Sequence, residues 1–478
     1  MDSKPNIVMV MTDQHAARIL GCAGDEFAQT PALDRLASQG TRFENCYCPS
    51  PLCVPSRMAF LTGLEPHQSG VLTNDDYLAS DIPTIAHAIG SAGYDCHLVG
   101  RMHFYGPDQQ HGFAHRPIGD IGASYPGKPP PDIGSLTKGR GNRGPELEHS
   151  GAGETSYQAY DHAVIENAHK TLQEVQDKFE KTDRPYFLLI SLFCPHPPYI
   201  ARRDDYDAFA ETLPGPRLSK PVSEPSAISD WRKAGRVDAV SHEATRKSRA
   251  GYYGLVKMID RLAGSIFDAV ADHPNTLSIY TSDHGESLGE RGLWWKSTMF
   301  DESAKVPLII RGSGYEPGQV DDRVANLTDL SATLLAEANA SDLPGHTGVN
   351  LKTKDDWLDQ TISSYYGGLM NIDLPPLQHR LIRSGDLKLV MYNNASPTLY
   401  DLADDPDELV DLANDPAYAE HMTQLSARLL DGWDSTAIAQ HQSFTRERTA
   451  IIRDWVKTTN PPEPMRWFDP NKDRNRYE

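Results

Sequence analysis

The segment from Pro5 to Asp13 reads PNIVMVMTD, with no polar side chain between Ile7 and Met11. A strand this apolar on both faces must be covered on both faces, which in a globular protein means a sheet sandwiched by helices. Tyr186 to Cys194, YFLLISLFC, has the same character. Shorter runs at 41–48, 95–104, 277–281 and 306–310 read as further strands. Helical patterns lie between them. Thr30 can cap a helix that Pro31 begins and Gly40 stops. Residues 84–93, 157–179 and 245–271 carry the other helical patterns. Strands and helices in alternation predict an α/β sandwich with a mostly parallel sheet.

Sheets of this kind place their sites beyond the carboxyl ends of their strands. Asp13 ends the first apolar run, and Asp283 follows LSIYTS. Either aspartate alone reads as a helix cap. Two of them, each after a core strand, point to a shared acidic site.

Charge narrows the partners. The 478 residues carry a formal net charge of −20. Phosphate backbones and anionic membranes are normally met by basic patches, so nucleic acid and membrane are not expected as partners. A small anion is not excluded, because it responds to the field of its own pocket. The six cysteines, Cys22, Cys46, Cys48, Cys53, Cys96 and Cys194, are too sparse for a disulfide scaffold. Cys46 and Cys48 read as buried strand cysteines. No basic-then-apolar leader is visible, and no apolar run reaches the roughly 18 residues of a membrane span. The expectation is a cytoplasmic protein.

Residues 114–155 are rich in glycine and proline (PGKPPPD, GRGNRG) and read as a long irregular insertion, a lid or a disordered segment. Residues 380–402 alternate like a small antiparallel sheet, and 417–433 like a helix covering it. The expected organisation is a catalytic domain at 1–365, a smaller α/β domain at 366–435 and a tail at 436–478. That tail either contacts a second subunit of a homo-oligomer or packs on its own domain.

Residues 53–63 read CVPSRMAFLTG. This pattern, C-x-P-S-R followed by an apolar stretch and T-G, resembles the signature of the type I sulfatases of the alkaline phosphatase superfamily. The resemblance implies an alkaline-phosphatase-like three-layer sandwich with a smaller α/β C-terminal domain built on an antiparallel sheet. It also implies that a formylglycine-generating enzyme oxidises Cys53 to an aldehyde. Hydrated, that aldehyde has two hydroxyls on one carbon. One attacks sulfur, and the other later expels sulfate, which a plain thiolate cannot do. Without this context Cys53 would pass for a small buried residue.

The remaining roles are likewise what the resemblance implies. Asp13, Gln14, Asp283 and His284, together with the group made from Cys53, would hold one divalent cation. Carboxylate and amide oxygens favour calcium, and the histidine favours manganese. Arg57 would support residue 53 and the metal site. Arg101, where the family usually has lysine, would bind sulfate, because arginine keeps its proton. His103 would act as the base on the second hydroxyl. His196 and Lys296 would serve the leaving-group oxygen, and Asn74 would touch substrate. The T-D-Q at 12–14 is similar to the choline sulfatase and phosphonate monoester hydrolase branch. SDIPT, MHFYGPDQQHGF and GERGLWWKS lean towards choline sulfatase, whereas 114–160 does not follow it. The expected activity is hydrolysis of a small alkyl, aryl or sugar sulfate ester, choline sulfate among them. The alternatives are a phosphonate monoester or phosphodiester hydrolase with the same nucleophile, and a non-catalytic binding protein in which Cys53 stays a thiol. A redox protein using Cys46 and Cys48 would need thiols of lowered pKa, and nothing around them supplies that.

Overall fold

The computed structural model describes residues 4–130, 143–221, 223–273, 275–354, 357–367, 377–471 and 473–477. Residues 131–142 of the expected insertion lie outside the described residues. The strands are β1 (Asn6–Asp13), β2 (Thr41–Tyr47), β3 (Asp95–Gly100), β4 (Gly151–Glu154), β5 (Tyr186–Pro195), β6 (Ile200–Ala201), β7 (Thr276–Ser282), β8 (Leu308–Arg311), β9 (Gln319–Asn326), β10 (Gln360–Gly367), β11 (Leu377–Ser384), β12 (Leu387–Tyr392), β13 (Thr398–Asp401) and β14 (Arg476–Tyr477). The helices are α1 (Pro31–Ser38), α2 (Cys53–Thr62), α3 (Pro66–Ser69), α4 (Ile85–Ser91), α5 (Ser156–Thr182), α6 (Arg203–Asp207), α7 (Ser226–Gly235), α8 (His242–Ala269), α9 (Asp301–Ala304), α10 (Leu327–Glu337), α11 (Ala419–Leu429) and α12 (Ser435–Thr459).

The main sheet has seven strands in the order β3-β5-β1-β7-β8-β2-β9. β1 runs parallel to both β5 and β7, and β3 runs parallel to β5. β8 alone is reversed, pairing antiparallel with β7 and β2. Every residue of β1 is buried. Val8 and Val10 face a core shared with Leu33 of α1, Val164 of α5 and Ile259 of α8. Ile7, Met9 and Met11 face the opposite core, with Met58 of α2, Ile89 of α4 and Leu334 of α10. The two-residue period of a strand thus divides one apolar run between two helical layers. This is the alkaline-phosphatase-like three-layer arrangement.

A second, antiparallel sheet runs in the order β10-β11-β12-β13. Its Ile382, Leu389 and Leu399 pack on Leu425 and Leu429 of α11. After α12 the chain returns to the large domain. Trp467 donates its N–H to the Asp120 carbonyl at 2.8 Å, Glu463 accepts from Ser124 N at 2.6 Å, and β14 pairs with β4.

One expected strand is shorter than its sequence pattern. Residues 95–104 read as continuous, but β3 ends at Gly100. Gly100 has φ +100°, and a Cβ there would lie 2.3 Å from the Ser191 carbonyl oxygen. The chain turns out of the sheet where only glycine fits, and residues 101–104 become site backbone rather than strand.

Candidate active site

The strand order sets the site. β3, β5, β1 and β7 lie side by side and end in the same direction, so Arg101, His196, Asp13 and Asp283 emerge next to one another. The register places Asp13 beside Pro195 and Thr12 beside Ser282. Cys53 is the first residue of α2, whose N-terminal end faces this edge. A helix N-terminus offers free N–H groups and a partial positive charge to an anion. Asn74 supports that end, its Oδ1 accepting from Val54 N at 2.9 Å.

The Cys53 Sγ lies 3.2 Å from His284 Nε2, 3.3 Å from Lys296 Nζ and 3.7 Å from Asp13 Oδ1. Arg57 lies one turn further along α2 and is fully buried. Its Nε donates to Asp283 Oδ2 at 2.8 Å and its Nη2 to Asp13 Oδ2 at 3.3 Å. Its Nη1 is held by Ser191 Oγ at 2.8 Å. Removing one member of such a buried charge set typically costs about 3–5 kcal/mol. Lys296 Nζ also donates to Gln14 Oε1 at 2.5 Å. Gln14, His103, Trp295 and Ser297 all have positive φ, so the backbone around the site is held in conformations that side chains rarely adopt.

Burial alone would raise the Asp13 carboxyl. Arg101, Arg57 and Lys296 outweigh it and hold the group well below the ordinary carboxylate range. Burial, helped by the Arg101 charge, lowers the His103 imidazole. Burial, with Lys296 next, lowers His196 and leaves it neutral. His196 Nδ1 donates to Pro197 O at 2.9 Å and His284 Nδ1 to Gly285 O at 3.0 Å. A carbonyl can only accept, so in each neutral ring the Nε2 lone pair is free. His284 turns that lone pair towards Cys53.

Asp13, Cys53, Asp283 and His284 have ligand atoms that all lie within 4.8 Å of one another. Ligands on opposite sides of one ion with bonds of about 2.3–2.6 Å would be separated by about that much. The donor set therefore fits one divalent cation.

A cleft of about 330 Å³ leads to this point. Cys53, Asn74, Arg101, His103, His196 and Lys296 line it. A separate cavity of about 170 Å³ lies between Arg18, Arg42 and Glu302, and none of these residues carries the chemistry above. All the residues expected from sequence come together here. Asp13, Gln14, Arg57, Asp283 and His284 sit fully buried behind the cleft wall.

Two buried carboxylates were not anticipated. Asp120 accepts from Arg101 Nη1 at 2.9 Å, His103 N at 3.0 Å and Gly122 N at 2.8 Å. It lies in the irregular stretch after residue 114, where no spacing marks it. Glu286 accepts from Gln14 Nε2, from Tyr199 Oη at 2.6 Å, and from Leu288 N and Trp295 N at 2.7 Å each. It stands within TSDHGE, three residues after Asp283. An acid so close to two metal-ligand candidates was the available signal. Cys46 and Cys48 are buried, and burial pushes both thiols up, the opposite of what a reactive pair needs.

The sulfatase family profile matches residues 5–340, and that of the N-sulphoglucosamine sulphohydrolase C-terminal region matches 289–434. The chain is 34% identical over 482 aligned positions to the choline-sulfatase of Rhizobium meliloti (strain 1021), covering 95% of this chain and 90% of that one. A structure solved in complex with its substrate D-glucosamine-2-N,6-O-disulfate aligns with TM-score 0.70 at 21% identity, covering 91% of this chain and 98% of that one. The phosphonate monoester hydrolase of Agrobacterium radiobacter aligns with TM-score 0.68 at 21% identity, covering 91% and 96%. Those two likenesses establish the shared fold. The profile match over most of the length, and the identity to the Rhizobium protein over nearly all of it, establish more: the chain belongs to the sulfatase family.

Proposed function

We propose that this chain hydrolyses the sulfate monoester of a small alcohol at the Cys53 centre, with choline sulfate as the first candidate. The observation that carries this reading is the position of Cys53. Its Sγ sits at a helix N-terminus within 3.2–3.7 Å of His284, Lys296 and Asp13, all of them buried.

Oxidised to formylglycine and hydrated, position 53 would offer one hydroxyl to sulfur and a second to expel sulfate. Asp13, Gln14, Asp283 and His284, with residue 53, would hold a divalent cation, calcium or manganese, which when bound would polarise a sulfate oxygen. Arg57 keeps the two aspartates aligned and offsets their charge. Arg101 and Lys296 supply fixed positive charge for the sulfate, and both are buried, where such charges act most strongly. Lys296 Nζ can donate to the leaving-group oxygen, and His196 lines the same cleft with its Nε2 lone pair free. Tyr105, Tyr125 and Asp75 line the cleft as well. Aromatic faces beside a carboxylate suit a quaternary ammonium, which supports choline.

Two measurements test this reading. Mass spectrometry of the Cys53 peptide, from protein made alongside a maturing enzyme, should show aldehyde in place of thiol. Matured protein should then turn over choline sulfate or an aryl sulfate faster than a phenyl phosphonate ester. An unmodified thiol would hand the protein to the binding-protein reading. Faster turnover of the phosphonate would make it a phosphonate monoester hydrolase.

A further inference from the structure

A second cluster of ligating side chains lies on β3, at the opposite end of that strand from Arg101. Asp95 and His97 are two residues apart on this edge strand and so point to the same side. His115 reaches the same side from the next segment, where it forms an isolated parallel bridge with His97. His97 Nε2 lies 3.3 Å from Asp95 Oδ2, and His115 Nε2 lies 3.6 Å from Asp95 Oδ1. The two rings stack at 4.5 Å with 21° between their planes.

An ordinary ion-pair cluster accounts for part of this, because Lys178 Nζ sits 2.6 Å from Asp95 Oδ2. It leaves one group unexplained. The His97 side chain is 9% exposed, and its Nε2 faces the Asp95 carboxylate at 3.3 Å without the alignment of a good hydrogen bond. A buried imidazole nitrogen so weakly paired is better satisfied by a ligand that takes its lone pair directly.

We propose that Asp95, His97 and His115 form a transition-metal site, with zinc as the natural occupant. Ligands around a tetrahedral zinc ion with bonds of about 2.0–2.1 Å are separated by about 3.3–3.4 Å. The His97 separation of 3.3 Å matches that edge, and the His115 separation of 3.6 Å, to the other Asp95 oxygen, is slightly longer. Two imidazoles with one carboxylate select zinc, cobalt or nickel over calcium or magnesium. Three protein ligands leave the fourth position to water, and the His115 side chain, 55% exposed, lets an ion enter. Burial lowers the His97 imidazole, which keeps it in the neutral form that binds metal. The ion would tie the segment starting at His115 to the sheet edge, five residues before Asp120.

The test is zinc titration of the calcium-loaded, full-length protein against a chromophoric chelator. Wild type should take up one equivalent more than His115→Ala, whose side chain is exposed and whose loss leaves the fold intact. Any binding left in that variant should be weaker by about tenfold or more. Lys178→Ala removes the cation that competes for Asp95 and should tighten zinc, an effect that a purely structural ion pair would not produce. Cobalt should give the visible absorption of a tetrahedral site in wild type and not in His115→Ala. Equal zinc stoichiometry and affinity in wild type and His115→Ala would overturn the proposal.

Discussion

Arg101 Nη2 lies 2.8 Å from His103 Nδ1, and a guanidinium can only donate. Nδ1 is therefore the acceptor, and the hydrogen of the neutral ring sits on Nε2. In this arrangement His103 presents an N–H and not a lone pair. On this geometry the role we propose for His103 towards the group at position 53 is donation, in place of the base role that the family resemblance implies. Asp120 reinforces the arrangement by accepting from Arg101 Nη1 and from the backbone N–H of His103 together.

The tautomer can be tested by a pair of substitutions. Glutamine can place an amide N–H near the imidazole Nε2 but cannot act as a base. We expect His103→Gln to stay within about tenfold of wild-type kcat and His103→Ala to fall by about 10²–10³-fold. Equal losses in the two variants would mean that a base has been removed.

Lys296 is buried and touches both Cys53 Sγ and Gln14 Oε1. If it stabilises the leaving-group oxygen, its loss should matter in proportion to the charge that forms there. Lys296→Ala should slow alkyl sulfates by about 10²-fold more than a nitrophenyl sulfate. Parallel plots of rate against leaving-group pKa for the two proteins would remove that role.

Glu286 is surrounded by donors: an amide, a phenol and two backbone N–H groups. Replacing one of its oxygens with an NH₂ sets donor against donor. Glu286→Gln should lose about 2 kcal/mol of stability. It should also let the Gln14 amide turn, weakening calcium or manganese by about 10–100-fold. Thermal unfolding reads the first effect and chelator competition the second. An unchanged metal affinity alongside lowered stability would make Glu286 a purely structural residue.

His379 lies in the second sheet, far in sequence from the expected metal ligands. Burial lowers its imidazole from 6.5 to about 4, against a small rise from Asn394. The folded protein keeps the ring neutral while the unfolded chain protonates it below about 6.5. Its stabilising contribution is complete above that pH and is lost as pH falls through about 6.5 to 4, amounting to at most about 3 kcal/mol. His379→Gln keeps a donor for Asn394 without titrating. Urea unfolding at pH 7 and pH 4.5 should show a smaller loss for this variant than for wild type, and equal losses would mean that His379 does not titrate in this window.

The division between sequence and tertiary structure follows from range. PNIVMVMTD reads as a strand covered on both faces, because consecutive apolar side chains alternate between the two faces of a strand and each face then needs a cover. That burial demand set the sandwich, put Asp13 and Asp283 at strand ends, and left CVPSRMAFLTG to open a helix beside them. Local pattern ran out where partners are distant in the chain. The run at 95–104 looked like uninterrupted strand because its apolarity does not register the approach of Ser191, which makes Gly100 the turning point. Asp120 sits in a stretch without periodicity, and only folding brings it to Arg101 and His103. Glu286 was visible as an acid within a matched motif, but its hold on Gln14 and Tyr199 depends on contacts across 272 and 87 residues. The tautomer of His103 is decided by a single contact two residues away, yet that contact exists only because β3 ends and turns the backbone to positive φ. Apolar periodicity is a property of neighbours in sequence; hydrogen-bond direction is a property of neighbours in space.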